Sequence, residues 1–514
     1  MAMIARRLDK SVLLIEKGAH PRFAIGESST PLANLALDEL ARRWDLPRLR
    51  PLTRWGSWQK AYPQLGCGLK RGFSFFHHEA GQAWKYRPDH RNELLVAASP
   101  RDQIADTHWF RADVDQFLVN EAIREGCEYL DHVELERPDF AGDIVKLNGS
   151  RAGKPIKMQV RFLIDASGPR GFVHRTLKVP EEQFPSMPET QGLYTHFENV
   201  RRFAELHPHD EPPPYLIDDA AVHHVFPGGW IWVLRFNNGI TSAGAAATNE
   251  IADALDFSAR EKAWDRLLAK FPSIREPFAG AAAVRDFTHA RRLSFRSSRV
   301  SGPRWTMLPH TAGFVDPLLS TGFALNLLGI ERLAETIGLR NAARFDARLD
   351  HHSKQTLREV DFTALLVAAL YAHMGDFELF SALTLLYFAA ASFTEAQRRL
   401  AQATSGYLLC DHPKFGAAAR NIATRAMEPL QPKQRESLLK EIVQTIEPFD
   451  VAGLNERSRR NWYPVAADDL LKAHGKLAVS EEEVAELLRR SDFFETPGAG
   501  SRLDHALDSD EAQR

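Results

Sequence analysis

Three times in this chain an apolar β-rich run meets a glycine-marked loop: "SVLLIEKGAHPRFAIGESSTP", "KMQVRFLIDASGPRG" and "WTMLPHTAGFVDPLLSTGFALNLLGIERLAE". In the first and third the loop runs on into helix. Strands as uniformly apolar as "SVLLIE" belong in parallel sheets covered on both faces. Ligands of such sheets gather at the carboxyl ends of the strands. Glu16 ends the first strand where a dinucleotide-binding unit places its ribose acid, although an ordinary strand-terminal acid looks the same. The pattern predicts an α/β chain with a discontinuous Rossmann-like domain.

The intervening sequence reads differently. Residues from about 53 to 96 are rich in Trp, Phe and Tyr, and "HHVFPGGWIWVLRF" is the clearest strand pair of a second β-rich region. "RADVDQFLVNEAIREGCEYL" carries Phe117, Leu118, Ala122 and Ile123 on one helical face, with Gly126 at the stop. The expected division is a cofactor domain of residues 1–52, 105–175 and 286–339. A β-sheet substrate domain of 53–104 plus 176–285 is inserted in it. A helical region follows at 340–494, then a disordered tail at 495–514. The apolar run from Leu379 to Phe393 is shorter than the ~20 residues of a spanning helix. It is expected to be buried, without membrane contact.

With 65 Lys and Arg against 67 Asp and Glu, nothing suggests a nucleic-acid partner. Cys67, Cys127 and Cys410 form no CxxC pair, which fits a reducing cytoplasm. The histidines of His77-His78, His207, His223-His224 and His351-His352 lack metal-ligand spacing. They read as surface or loop residues, and no metal site is expected. Gly26, Glu27 and Ser28 read either as a close-approach loop or as a capped turn into the helix at Pro31. Asp165 and Gly168 end a strand. Gly313, Asp316, Pro317, Thr321 and Gly322 precede an amphipathic helix whose free N–H groups suit an anion or a ring edge. Trp230 and Trp232 share a strand face and can either wall a cavity or fill a core.

Taken in order, "LLIEKGAHPRFAIGESSTP", "HWFRADVDQFLVNEAIREGCEYL", "FLIDASGPRG", "GGWIWVLRF" and "AGFVDPLLSTGFALNLLGIERL" resemble the flavin-dependent monooxygenase and halogenase superfamily. Its tryptophan-halogenase-like and geranylgeranyl-reductase-like branches are included. The resemblance implies FAD, with Glu16 at the adenosine ribose, Arg111 approaching the flavin and Gly168 near the phosphates. It places Pro317 to Gly322 along the ring, with the Thr321 and Gly322 N–H groups at a halide. In halogenases of this type FADH2, O2 and halide yield an oxidised halogen that a lysine carries to the substrate; Lys70 resembles that lysine. Trp230 and Trp232 resemble the tryptophans that keep substrate off the flavin. The implied partners are a separate flavin reductase and a small aromatic or apolar substrate, free or carrier-bound. A flavin monooxygenase or isoprenoid reductase is the alternative enzyme, and a non-catalytic remnant that binds FAD poorly is the alternative outside catalysis. The C-terminal helices fit packing over the substrate sheet or a homodimer contact equally well.

The sequence departs from the family pattern in places. Leu319 stands where tryptophan halogenases carry glutamate, which favours a phenolic substrate that activates its own ring. Arg235 follows Leu234 where the family signature has proline, and Pro309-His310 replaces a Gly-Asp pair. "MAMIARRLDK" matches the second half of the helix after a GxGxxG turn, so the first strand and phosphate loop are expected upstream of residue 1. A version lacking them should bind FAD poorly, which flavin absorbance of both versions would test.

Overall fold

A mixed sheet organises the computed structural model, which describes residues 1–494. In order across it lie Ala282–Ala283, Thr190–Glu198, Ile240–Thr248, Gly229–Arg235, Ala221–Phe226, Gly72–His77, Glu93–Ala97 and Trp462–Tyr463. Thr288–Ala290 pairs alongside Thr190–Glu198. Side chains alternate between the sheet's two faces, and both faces are covered. Phe75, Trp230 and Trp232 pack with Phe362, Phe380 and Phe388 of the C-terminal helices. Phe76, Ile231 and Val233 pack with Phe203, Trp264 and Phe271 on the other side.

This double covering corrects the reading of the paired histidines as surface or loop residues. His78, His223, His224 and His352 are buried. His223 stacks between Phe75 and Trp230 at centroid distances of 4.6 and 5.0 Å. Its neighbour His224 points the other way, with Nδ1 3.0 Å from His78 Nε2. On a strand covered on both sides, neither direction leads to water.

Packing at the sheet centre is tight enough to require glycine. A Cβ on Gly244 would lie 2.3 Å from Tyr194 Cβ and 2.4 Å from Trp232 Cζ2. Gly244→Ala is expected to cost about 1–3 kcal/mol by overpacking. A thermal unfolding midpoint equal to that of the parent would contradict this packing.

The cofactor-type strands lie in separate small sheets. Leu13–Ile15 runs parallel to Glu128–Leu130, and Leu163–Asp165 runs parallel to Trp305–Met307. The helix Pro31–Arg43 starts as its sequence predicts, with Pro31 at the first position and Thr30 Oγ1 accepting from Ala33 N. Beyond residue 339 the described chain is largely helical. The Phe377–Arg399 helix is long and apolar enough to cross a membrane by length and composition, but most of it is buried in the fold. The expected disordered tail, 495–514, lies outside the described residues.

Candidate active site

The segment Glu27–Ser29 lies alongside Asp106–Trp109, with Ser29 N donating to Thr107 O at 3.0 Å and Trp109 N to Glu27 O at 2.6 Å. On its other side Asp106–Trp109 pairs antiparallel with Cys67–Lys70, which sets Lys70 opposite Asp106. This ladder delivers Lys70 to the loop that the sequence marks as a close-approach turn.

Lys70 is fully buried (0% exposed). Its Nζ donates to Ser29 O at 2.5 Å and lies 3.9 Å from the Phe73 ring centroid. Burial pushes the lysine pKa down and the charge of Asp106 opposes that. Asp106 is 5% exposed. Burial pushes its pKa up, and Lys70 opposes that in turn. Each group thus favours the charged form of the other. Asp106 Oδ1 accepts from Asn34 Nδ2 at 2.7 Å. Its Oδ2 is buried and has no partner among the described residues.

A cavity of about 260 Å³ opens beside this pair. Phe73, Val96, Leu319 and Phe388 form apolar walls, and Asn34, Asp106, Glu395 and Arg399 bring polar groups to it. The turn after Pro317 separates this cavity from a second, small pocket lined by Pro309, His310, Thr321 and Gly322. Leu319 and Ser320 both hold left-handed backbone, at φ 63° and 56°. That is a costly arrangement for non-glycine residues, of order 1–3 kcal/mol each. It aims the Leu319 side chain at the large cavity. Asp316 fixes the turn, with Oδ1 accepting from Leu318 N at 3.0 Å and Oδ2 from the Tyr371 hydroxyl at 2.9 Å. Tyr371 in turn accepts from Trp230 Nε1 at 3.2 Å. Burial pushes the Asp316 carboxyl up to about 7. Trp230 and Trp232 lie 5.6 Å apart in the buried layer that also contains Phe73 and Leu319.

Of the remaining marked residues, Arg111 and Gly168 are tied to neighbouring marked segments, whereas Glu16, Asp165 and Gly313 make local contacts. Arg111 grips Asp115 with Nε and Nη2 at 2.7 and 2.9 Å and donates Nη1 to the Ile25 and Gly26 carbonyls at 3.0 Å. Burial, helped by the Arg111 charge, lowers the His310 pKa to about 4. Gly168 N donates to Thr311 Oγ1 at 3.2 Å, which ties the second strand tip to the same turn. Both Asp165 oxygens are used locally, by Ser167 and by Val173 N, and they hold the loop that carries Gly168. Glu16 Oε1 accepts from Gly18 N at 2.9 Å at the tip of the first strand. Gly313 has a packing role, because a Cβ there would meet Val360 Cγ1 at 2.9 Å.

This lining fits a flavin. A Cβ on Gly168 would meet nothing within 4 Å, and on Gly26 and Gly322 only Arg111 Nη1 at 3.7 Å and His310 Nδ1 at 3.8 Å. Ser28 Oγ and Glu27 Oε2 are buried without partners among the described residues. Glu27 Oε1 meets His196 Nε2 at 2.7 Å. Bare glycines beside polar atoms in want of partners can line a flat, polar-edged group.

The family model described as tryptophan halogenase matches residues 83–374. The chain belongs to the flavin-dependent halogenase family. It is 30% identical over 411 residues to the monodechloroaminopyrrolnitrin halogenase PrnC of Pseudomonas fluorescens, covering 78% of this chain and 70% of that one. The tetracycline 7-halogenase of Kitasatospora aureofaciens is 29% identical over 324 residues, 61% of this chain and 56% of its own length. Among solved structures, halogenase PltM in complex with phloroglucinol and FAD superposes with a TM-score of 0.79 at 25% identity. That match covers 89% of this chain and 96% of that chain. Flavin-dependent halogenases are FAD enzymes that use a halide, and this halogenase has the mixed α/β fold of its relatives. The sequence marks Lys70 but not Asp106, since "ADTHWF" carries no motif; only strand register sets the two opposite each other.

Proposed function

We propose that this halogenase transfers an oxidised halogen through Lys70 to a small electron-rich arene held in the cavity beside Phe73 and Leu319. The observation that carries this reading is the buried Lys70 ammonium set against an aromatic wall of that cavity. Bound as FADH2 with O2, the cofactor supplies the oxidising power that turns halide into an electrophile. Gly26, Ser28, Arg111, Gly168 and the Pro317–Gly322 turn would hold it, with Glu16 at its ribose. The first-turn N–H groups at Thr321 and Gly322 lack helical acceptors and face positive-dipole space suited to halide. Lys70 Nζ is stripped of water, so part of it is free amine near neutral pH, able to carry the electrophile without losing it to solvent. Trp230 and Trp232, buttressed by Tyr371 and Asp316, keep the two sides of the turn apart. Leu319 brings no carboxylate to the cavity, so a phenol that activates its own ring suits it better than an indole. The PltM complex with phloroglucinol agrees with such a substrate. With no second dinucleotide fingerprint in the sequence, a separate reductase is the source of FADH2.

The test supplies the purified protein with FADH2, O2, and chloride or bromide, with resorcinol as acceptor. Halide-dependent monohalogenated product, seen by its isotope pattern, is expected. A product that is hydroxylated and indifferent to halide would instead make the protein a monooxygenase.

A further inference from the structure

Three tyrosines line the large cavity, and two of them satisfy each other: the Tyr387 and Tyr407 hydroxyls bond at 2.8 Å. The third, Tyr463, is 6% exposed, and its hydroxyl engages no group among the described residues. Two other polar atoms on residues of this wall, Asp106 Oδ2 and Ser99 Oγ, also lack partners, but they are sealed inside it. The Tyr463 hydroxyl is not sealed in this way and keeps open surface on a residue that lines the cavity. Burial pushes the phenol up to about 12, so it carries its proton at neutral pH and can donate it.

Strand register fixes where this hydroxyl stands. Tyr463 pairs in parallel with Val96, and Val96 stands opposite Phe73 on the next strand. Partners in register share a sheet face. All three line the cavity and belong to the apolar layer under the C-terminal helices. Phe73 is the ring against which Lys70 Nζ rests. The backbone of Tyr463 is thus two strand spacings, about 10 Å, from that of Phe73. A single ring held against Phe73 falls short of it, whereas two joined rings cover the row.

From this register we infer that the Tyr463 hydroxyl is a specificity-determining group, donating a hydrogen bond to an acceptor at the end of the substrate remote from the reacting ring. The substrate class is then an arene of two-ring length with an oxygen acceptor at its far end. The inference deepens the proposed function and rests on it for placing the reacting ring at Lys70. Sites built to pair a polar group discriminate against analogues that lack its partner, because their own group is left unpaired.

The experiment uses two probes on the FAD-loaded enzyme: para-phenylphenol carrying either an acetyl or an isopropyl group at the far para position. The two groups are similar in shape, and only acetyl accepts a hydrogen bond. Dissociation constants are measured by calorimetry for the native protein and for Tyr463→Phe, which keeps the ring and loses only the hydroxyl. Halogenation of both probes is followed in parallel. The variant should weaken the acetyl probe at least threefold relative to the isopropyl probe, the size of one neutral hydrogen bond. A relative change below threefold overturns the inference and leaves Tyr463 as cavity lining, and so does failure of the native protein to bind either probe. If Tyr463→Phe fails to fold, the native protein decides. Tighter binding of the acetyl probe, although isopropyl is the more apolar, supports the inference, and equal or weaker binding overturns it. Acceptor-selective binding that depends on Tyr463 but yields no halogenated product would leave the anchor standing and remove the halogenase reading. Halogenation of both probes without that selectivity would do the reverse.

Discussion

Lys70→Met should lower halogenation by about 10³-fold, within the range that a single positioned proton- or group-transfer residue supplies. Flavin absorbance should be unchanged, because Lys70 Nζ bonds the Ser29 carbonyl rather than the residues placed around the cofactor. The methionine matches the lysine stem in length and suits the Phe73 face, so packing is kept while the amine is lost. Stability responds separately. Lys70 and Asp106 are opposite buried charges that make no direct salt bridge, Lys70 Nζ bonding the Ser29 carbonyl instead, so removing the lysine should cost less than the about 3–5 kcal/mol typical of breaking a buried ion pair. Asp106 has an escape, since burial already raises its pKa and the loss of Lys70 raises it further. A carboxyl whose folded pKa lies above its unfolded value stabilises at low pH and loses that contribution as pH rises through the folded pKa. Lys70→Met should therefore melt close to the parent at pH 5 and well below it at pH 8. Adding Asp106→Asn should remove the pH dependence that Lys70→Met adds, leaving the parent's own. Melting curves at the two pH values read this directly. Halogenation retained in Lys70→Met would show that the lysine carries nothing.

How far the sequence could be read depended on the scale of the interaction. Strand tips and helix starts were legible: Thr30 caps, Pro31 opens a helix, and the turn from Asp316 to Gly322 precedes one. Those signals are local, set by backbone preference within a few residues. Lys70 was marked only through resemblance, because nothing around it says it is buried. Its placement opposite Asp106 was invisible, since it comes from register with a strand more than thirty residues away. The paired histidines were misread for a related reason. Alternation along a strand predicts opposite faces correctly, as His223 and His224 show, but cannot tell whether helices cover both faces. Here the helices over one face lie far along the chain, at Ala342–Ala372 and Phe377–Arg399, and those over the other include Phe203–Leu206 and Glu261–Lys270.

Those buried histidines should make the fold sensitive to acid. Burial drives His108, His223, His224 and His352 down to about 3 and His310 to about 4, and it lowers His78 as well. The unfolded chain protonates them near 6.5, so between pH 6 and about 4.5 it binds protons that the folded chain does not. Asp316, pushed up to about 7, and Asp106, also raised, act in the opposite direction over this window, protonated when folded and ionised when unfolded. The histidines outnumber the two carboxyls, and stability rises with pH wherever the unfolded state binds more protons. At about 1.4 kcal/mol per net proton per pH unit, the loss across the window is a large share of a total stability of about 5–15 kcal/mol. Tryptophan fluorescence and far-ultraviolet circular dichroism should report cooperative unfolding before pH 3. His352→Gln, which removes one titrating group from beneath the Met307 carbonyl, should lower the slope by about 1.4 kcal/mol per pH unit, the share of one proton. Native signals that persist to pH 3 would mean that the imidazoles gain protons inside the fold, and the two covered faces of the sheet would have to be wetter than their packing implies.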